Sequence, residues 1–572
     1  MKLAIRNHLE FLYGRQQAGP LERRLVALME EYGERIRSPA HIRREWLTEK
    51  DALLITYADQ VREPDRAPLQ TLADLAAHHL RGVVSGIHIL PFYPWSSDDG
   101  FAVKDFMAVD PAFGTWDDLA RLRPHFDLMF DAVFNHMSAG GEWFRKFLAD
   151  DPQFRDFFVT VEGNPDLSQV VRPRALPLLT EFPAAAQPKK VWTTFSADQV
   201  DLNFKNPAVL LAVVRALLFY VERGARFIRL DAIAYLWKEI GTPCIHLPET
   251  HRVVQLLRAV LDEVAPEVML ITETNVPHRD NLSYFGDGTN EAQLVYNFPL
   301  PPLTLHSLQT GDATALTRWA QSLTLPGERV TWFNFLASHD GIGVNPARGL
   351  LSDAEMAALV GRALAHGGFV SHKRNSDGSE SPYEMNINYL DALSNPAGGE
   401  PAEVAAGKFL TAQAIMLALQ GVPGIYFHSL FGSRGDRAGA EASGIKRRIN
   451  RQKLRRADLE NELGDPASLR ARILAGHRDL LRIRRGQTAF HPGAPQRILH
   501  LDPRVFAVVR ETKDRRERVL CLHNVSALPV TCRTSEIDWS KTILLLGPES
   551  GARQGKTSQE LAPYETCWLR LN

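Results

Sequence analysis

Eight short apolar runs recur along the chain, and segments with helical periodicity separate them. The runs are apolar at nearly every position, which is typical of strands buried on both faces. They occupy residues 53–59, 86–92, 128–136, 226–232, 268–274, 292–298, 332–340 and 424–427. Clear helical patterns lie between them at 68–82, 209–224 and 250–266. Strands and helices that alternate in this way predict an α/β fold, and eight such strands predict a (β/α)8 TIM barrel.

The chain has 572 residues, which is more than one barrel of about 250 residues needs. Two gaps between the runs, 137–205 and 342–399, are too long for loops and predict inserted subdomains B and B′. Residues 1–50 have apolar residues at helical spacing and predict a helical N-terminal extension. Short strand-like runs from 486 to 572 predict a C-terminal antiparallel β-sandwich. The barrel is then assigned to residues 51–136, 206–341 and 400–485.

The charges of the chain nearly cancel, because 66 Lys and Arg stand against 67 Asp and Glu. A net charge of -1 argues against a protein that binds nucleic acid or membrane surfaces nonspecifically. The N-terminus lacks the apolar core of a signal peptide, and no run of about 18 apolar residues occurs. The four cysteines lie far apart and form no CxxC pair. We therefore expect a soluble, cytoplasmic enzyme without a disulfide framework.

Three acidic residues follow three of the predicted strands: Asp231, Glu273 and Asp340. A single carboxylate at a strand end is often a helix cap or a surface charge. Three at the carboxyl ends of barrel strands indicate a catalytic rim. Arg229 precedes Asp231 by two residues, so both side chains should point to the same side of the strand. We expect Arg229 to lower the pKa of Asp231 and to keep it ionised.

Five segments resemble, in order and spacing, the conserved regions of the α-amylase family of glycoside hydrolases: DAVFNH (131–136), QVDLNF (199–204), RFIRLDA (226–232), ITETN (271–275) and ASHD (337–340). Further segments resemble its sucrose phosphorylase subfamily: ITYADQ (55–60), HILPFYP (88–94), RPRALP (172–177), HDGIGV (339–344), SPYEMN (381–386) and RRINR (447–451). The resemblance covers about 50–572. Together with the helical extension, it is greatest to the members that act on glucosylglycerate.

The resemblance implies roles for the three acids. Asp231 would be the nucleophile that forms a β-glucosyl-enzyme, Glu273 the general acid and then the base, and Asp340 the stabiliser of the transition state. The positions that match those around the sugar in the family are Asp98, Phe101, His136, Phe195, Gln199, Arg229, Tyr235, His339, Tyr383, Glu384 and Arg447. Counting back from Phe101 favours Asp98 over Asp99 at the first of these.

A phosphorylase must bring an anion to a site that already holds carboxylates, and this requires cations. Arg172 and Arg174 lie in a family-like motif, and we expect them to bind phosphate or the acceptor. Lys373, Arg374 and Arg448 are expected to be ordinary solvated side chains. Glu384 stands where plain sucrose phosphorylases have Gln, and we expect it to bind acceptor hydroxyls.

The resemblance implies reversible phosphorolysis of 2-O-α-glucosylglycerate to α-glucose 1-phosphate and glycerate, with net retention. Glucosylglycerol, sucrose and sucrose 6′-phosphate remain alternative donors. Two other functions also remain: a transglucosidase or hydrolase of α-glucosides, and an inactive barrel used as a binding subunit. No nucleotide-binding motif or metal-ligand cluster occurs, so phosphate is expected as a substrate and no cofactor is expected. The sequence does not establish the oligomeric state, and a homodimer is a general prior.

Overall fold

The computed structural model describes residues 2–36, 46–174, 176–375, 378–547 and 556–572. Of the expected N-terminal extension, residues 1 and 37–45 therefore lie outside the described residues, as do residues 376–377 in the second insertion. None of the described helices is both long and apolar enough to cross a membrane. The four cysteines are buried thiols.

Eight parallel strands form a closed barrel, and this confirms the fold that the apolar runs predict. Each strand pairs with its neighbours in chain order, and the register Leu53↔Gly424 joins the last strand to the first. The strands are β1 (Leu53–Thr56), β2 (Gly86–Ile89), β3 (Asp127–Ala132), β4 (Ala225–Leu230), β5 (Met269–Thr272), β6 (Leu294–Tyr296), β7 (Thr331–Asn334) and β8 (Val422–Tyr426). Nearly all of their residues are buried, as strands enclosed by helices require.

Helices surround the barrel and connect its strands. Helix Pro207–Glu222 begins after the cap Asn206, whose side chain accepts a hydrogen bond from the backbone N–H of Ala208. The other described α-helices that follow β1 are Pro68–His79, Trp116–Ala120, Glu142–Leu148, Pro248–Val264, His278–Leu282, Leu300–Thr310, Thr314–Ser322, Asp353–Ala365, Tyr389–Leu393, Ala402–Ala418, Phe427–Leu430, Arg437–Ser443, Arg456–Gly464 and Leu469–Arg485.

The N-terminal helix Lys2–Ile36 lies on the outside of the barrel. It is broken at Gly14, where φ is 77°, a conformation that glycine adopts without steric cost. It packs against helices Pro207–Glu222 and Pro248–Val264. Beside the break, the Tyr13 hydroxyl donates a hydrogen bond to the carbonyl of Phe204 at 2.9 Å. The helix therefore covers the apolar outer faces of two barrel helices.

The two long gaps in the barrel pattern contain small sheets at the carboxyl end of the barrel. In the first gap His136–Ser138 pairs with Gln199–Asp201, and Leu179–Phe182 pairs with Lys189–Trp192. In the second gap the antiparallel strands are Ile342–Gly343, Phe369–Arg374 and Glu380–Asn386. Both segments leave the barrel directly after a strand, so they lie beside the rim.

The C-terminal strands form a five-stranded antiparallel sheet and a separate two-stranded one. Where this part meets the barrel, the Arg510 guanidinium donates to the carbonyls of Ala418, His491 and Ala494 at 2.9–3.2 Å. Burial lowers the pKa of Arg510 to about 9. The strands are Gln496–Leu499, Val505–Glu511, Arg518–Asn524, Thr566–Leu571 and Ile543–Leu546, with Val530–Cys532 and Gln559–Leu561 in the smaller sheet.

Candidate active site

One pocket at the carboxyl ends of the strands collects most of the residues that the sequence singles out. Asp231 directly follows β4 and Glu273 directly follows β5, while Asp340 lies six residues beyond the end of β7. Because parallel strands end at the same rim, these three carboxylates converge. The other lining residues are Asp98, Phe101, His136, Arg174, Phe195, Gln199, Ala232, Ala234, Tyr235, Thr274, Asn275, Val276, His339, Tyr383 and Arg447.

A buried arginine holds two of the three carboxylates. Arg229 Nη1 donates to Asp231 Oδ1 at 2.8 Å and also to Asp131, its register partner on β3. Its Nη2 lies 3.7 Å from Glu273 Oε2. The predicted orientation of Arg229 and Asp231 to one side of the strand is therefore what the structure shows. The guanidinium of Arg229 thus lies close to the carboxylates of Asp131, Asp231 and Glu273, and its single positive charge cannot balance all three.

The charges around Arg229, together with burial, set the pKa values of Asp231 and Glu273. Burial raises the pKa of Asp231 to about 8, Arg229 opposes this, and the neighbouring Glu273 raises it further. Burial likewise raises the pKa of Glu273. Arg229 lowers the pKa of Asp231 as expected, but the expectation that it keeps this pKa low was wrong, since burial outweighs the ion pair. Because the two acids interact, they titrate as a coupled pair.

Asp340 has the opposite environment. Its Oδ1 forms an ion pair with Arg447 Nη1 at 2.7 Å and accepts a hydrogen bond from Arg451 Nη2 at 3.2 Å, and His339 Nε2 lies 3.5 Å away. Against the effect of burial, Arg447, His339 and Arg451 hold the pKa of Asp340 well below its usual range. The pocket therefore combines one carboxylate whose pKa is lowered with a pair of carboxylates whose pKa values are raised. Acids and bases of this kind can be assigned from such a separation.

Aromatic rings form one side of the pocket. The rings of Phe101 and His339 stack with centroids 4.7 Å apart and an interplanar angle of 7°. His136 Nε2 donates to the Phe101 carbonyl at 3.0 Å, and Gln199 Nε2 donates to the same oxygen at 3.3 Å. This arrangement fixes an apolar face between polar groups, which is the surface that a sugar ring needs.

The ambiguity between Asp98 and Asp99 is settled by their positions. Asp98 lines the pocket. Asp99 instead accepts from Arg451 Nη1 at 2.9 Å and from Arg448 Nη1 at 3.3 Å. Arg448 is thus paired with Asp99, and it is not simply the solvated cation expected from the sequence.

The structure places Glu384 behind the pocket. Its carboxylate accepts from Arg447 Nε at 3.0 Å and Nη2 at 2.5 Å, and from the backbone N–H of Gly341 at 3.1 Å. The side chain is only 2% exposed. The expectation that Glu384 contacts acceptor hydroxyls therefore does not fit this structure, because its oxygens are already engaged by Arg447 and Gly341.

The two arginines of the RPRALP segment have different positions. Arg174 lines the pocket with the carboxylates. Arg172 lines an adjoining outer pocket, where its guanidinium donates to the carbonyl of Leu176. Among the described residues, Arg174 has no carboxylate within ion-pair distance, whereas Arg229 and Arg447 are both paired.

Sequence reasoning missed three residues that shape the site. Arg451 is fully buried and binds Asp340, Asp98 and the carbonyl of His339. The carboxylate of Asp131 accepts a hydrogen bond from Arg229. Asn275 borders both pockets, and its buried Oδ1 has no hydrogen-bond partner. Arg451 and Asp131 both lie inside quoted motifs, and Asn275 follows Glu273 by two residues, so position alone could have identified them.

Among the described residues one group of three side chains could hold a metal ion, and it lies outside both pockets. It consists of His78, His79 and Glu460. His79 Nε2 lies 2.8 Å from Glu460 Oε2, and Arg478 Nη2 lies 3.3 Å from His79 Nδ1. With Arg478 donating to Nδ1, Nε2 carries the proton that binds Glu460. The lone pairs that a metal would need are therefore already used.

Comparison with known proteins gives a consistent result. The family model described as the α-amylase catalytic domain matches residues 80–342. A glucosylglycerate phosphorylase from Allomeiothermus silvanus is 55% identical over 569 residues, which cover 100% of this chain and 98% of that protein. One from Spirochaeta thermophila is 51% identical, over 92% of this chain and 90% of that protein. The crystal structure of sucrose 6F-phosphate phosphorylase from Thermoanaerobacter thermosaccharolyticum shares the fold, with a TM-score of 0.73, 23% identity, and 85% and 96% of the two chains covered.

Proposed function

The chain belongs to the α-amylase family, and from this membership and its pocket we propose that it is a retaining phosphorylase of 2-O-α-glucosylglycerate. The observation that carries the proposal is the similarity to glucosylglycerate phosphorylases along the whole chain. The products are α-glucose 1-phosphate and glycerate, and the reaction is reversible. Inorganic phosphate is a substrate, and no cofactor takes part.

The first step forms a glucosyl-enzyme. An oxygen of Asp231 attacks the anomeric carbon while Glu273 donates its proton to the glycosidic oxygen, so the bond to glycerate breaks and glycerate leaves with that proton. The reactive state has Asp231 ionised and bonded to Arg229 and Glu273 protonated, so the proton of this coupled pair must lie on Glu273 when the substrate reacts. Asp340 remains ionised and stabilises the positive charge that develops on the sugar.

The second step transfers the glucosyl group from Asp231 to phosphate. Phosphate enters, Glu273 accepts its proton, and a phosphate oxygen attacks the anomeric carbon as the bond to Asp231 breaks. Two inversions give net retention. Arg174 supports phosphate binding, because it is the pocket cation that has no partner among the described carboxylates. The aromatic face and the polar groups around it, including Asp98, hold the glucosyl group through both steps.

The decisive experiment incubates the protein with glucosylglycerate, with and without inorganic phosphate. We expect α-glucose 1-phosphate to form only with phosphate. Release of free glucose at the same rate without phosphate would overturn the proposal in favour of a hydrolase. In the reverse direction, a panel of glycerate, glycerol, fructose and fructose 6-phosphate tests the acceptor. A preference for any acceptor but glycerate would reject the substrate and retain the reaction class.

The proposed roles are tested by a matched pair of variants. Arg174→Gln should raise KM for phosphate at least ten-fold, since one charge-assisted contact is lost. Arg172→Gln, two residues away in the outer pocket, should change it by a smaller factor. Equal effects would show that Arg174 has no special part in phosphate binding. Size-exclusion chromatography with light scattering determines the oligomeric state, for which a homodimer is the general expectation.

A further inference from the structure

A second, larger pocket adjoins the catalytic one on its outer side. It has a volume of about 550 Å³. The two pockets adjoin, and their walls share Tyr235, Asn275, Val276 and Tyr383. We call this second cavity the outer pocket. A ligand bound there lies against the same side chains that border the carboxylates.

Cations from both inserted segments line the outer pocket. Arg172 comes from the first insertion, and Lys373 and Arg374 come from the second, at the end of strand Phe369–Arg374. The one carboxylate among the described lining residues is Asp280. Burial lowers the pKa of the lining His246 to about 4, so this imidazole is neutral. The described lining is therefore strongly positive.

The cations of the outer pocket are not paired with carboxylates in the part of the chain that the structure describes. There, no carboxylate lies within ion-pair distance of Arg172, Lys373 or the exposed Arg374, whereas Arg447, Arg448 and Arg451 at the rim are all paired. Beyond the effect of burial, the charge of Arg374 lowers the pKa of Arg172, and Arg348 lowers that of Lys373. The two insertions thus bring like charges together, which costs free energy unless an anion occupies the space between them.

We propose that the outer pocket is an electrostatic vestibule that collects anionic reactants and passes them to the catalytic pocket. The proposal rests on the proposed function, in which phosphate, glucose 1-phosphate, glycerate and glucosylglycerate all carry negative charge. A cleft lined by charge of one sign concentrates ions of the other sign and raises association rates by 10–10³-fold, and salt suppresses this effect. Lys373 and Arg374 act through the positive electrostatic potential that they create, and they make no contact with the transferred glucosyl group.

The test is the double variant Lys373→Gln/Arg374→Gln. Its matched control is Arg515→Gln/Arg516→Gln, which removes the same charge from side chains that are 78% and 88% exposed in the C-terminal part. For each, kcat/KM for phosphate and for glucose 1-phosphate is measured between about 20 mM and 500 mM ionic strength. Hydrolysis of α-glucosyl fluoride, a neutral donor, is measured beside them.

We expect the vestibule variant to lose roughly ten-fold in kcat/KM for both anions at low salt. The loss should vanish at high salt, should be absent for the neutral donor, and should not occur in the control. A loss that is equal at all ionic strengths would overturn the proposal, because it would indicate direct contact or misfolding. No loss at any ionic strength would overturn it as well. Failure of the wild-type protein to form glucose 1-phosphate would instead refute the proposed function.

Discussion

Replacement of Glu273 by Gln tests how the two catalytic carboxylates share a proton. Burial and the charge of Glu273 both raise the pKa of Asp231, which stands at about 8. Two carboxylates about 5 Å apart, the spacing of retaining enzymes, repel each other by about 3 kcal/mol at an effective dielectric constant of 20. This corresponds to about two pKa units. In the Glu273→Gln variant we therefore expect the pKa of Asp231 to fall to roughly 6.

The assay uses α-glucosyl fluoride, because fluoride leaves without a proton from Glu273. Asp231 attacks only when ionised, so the rate of glucosylation is present above its pKa and is lost as the pH falls through it. The pre-steady-state burst of fluoride, followed from pH 4 to pH 9, reports that rate. We expect the acid limb of the variant to lie about two pH units below that of the wild-type protein.

The control is Glu267→Gln, which removes the same charge before the start of β5, at the opposite end of the barrel. It should leave the acid limb in place. A Glu273→Gln limb that stays near pH 8 would refute the reasoning, since Glu273 would then contribute nothing to the pKa of Asp231. A variant that folds but gives no burst at any pH would refute Asp231 as the nucleophile.

Three further substitutions give independent tests. Glu384→Gln removes the charge that holds Arg447 and so breaks a buried ion pair. We expect kcat/KM for glycerate to change at least five-fold and the melting temperature, measured by calorimetry, to fall. Unchanged kinetics would show that Glu384 does not position Arg447. In Arg510→Met the carbonyls of Ala418, His491 and Ala494 lose the guanidinium donor, although the His491 carbonyl still accepts from the Ala494 N–H and the Ala494 carbonyl from the Gln420 amide. The free energy of unfolding in urea should therefore fall by about 2 kcal/mol, and an unchanged value would contradict this. Asn275 borders both pockets, and in Gly343→Ala the new Cβ would lie 2.8 Å from its amide. We expect the displaced amide to raise the KM for the acceptor without loss of stability, and an unchanged KM would show that Asn275 does not contact the acceptor.

The barrel could be predicted because its strands are apolar on both faces. Each of the eight apolar runs contains or overlaps one barrel strand, but several runs continue beyond the strand. The run at 332–340 is the clearest case, since β7 ends at Asn334 and the remaining residues form the rim segment that carries His339 and Asp340. A hydrophobic pattern indicates which residues are buried. Because the rim residues are buried as well as the strand residues, the pattern does not show where a strand ends.

The partners of the site residues could not be predicted in the same way. The sequence indicates that Glu384 and Arg447 belong to the site, but their contact joins positions 63 residues apart. The RRINR segment indicates Arg447, but Arg451 of the same segment also reaches Asp340 Oδ1, and the sequence does not show which of its arginines make this contact. The proton on the Asp231–Glu273 pair depends on burial, which a sequence pattern does not measure.

The barrel strands and the inserted segments contribute different residues to the catalytic pocket and the outer pocket. Arg229 and the acids it serves belong to the strands or follow them directly, and because they share one guanidinium, substitutions among them will be strongly non-additive. The outer pocket takes Arg172, Lys373 and Tyr383 from the insertions, and Arg172 and Lys373 are outside that network. Substitutions in the insertions can therefore alter the outer pocket while the contacts of Arg229 with its three carboxylates stay intact.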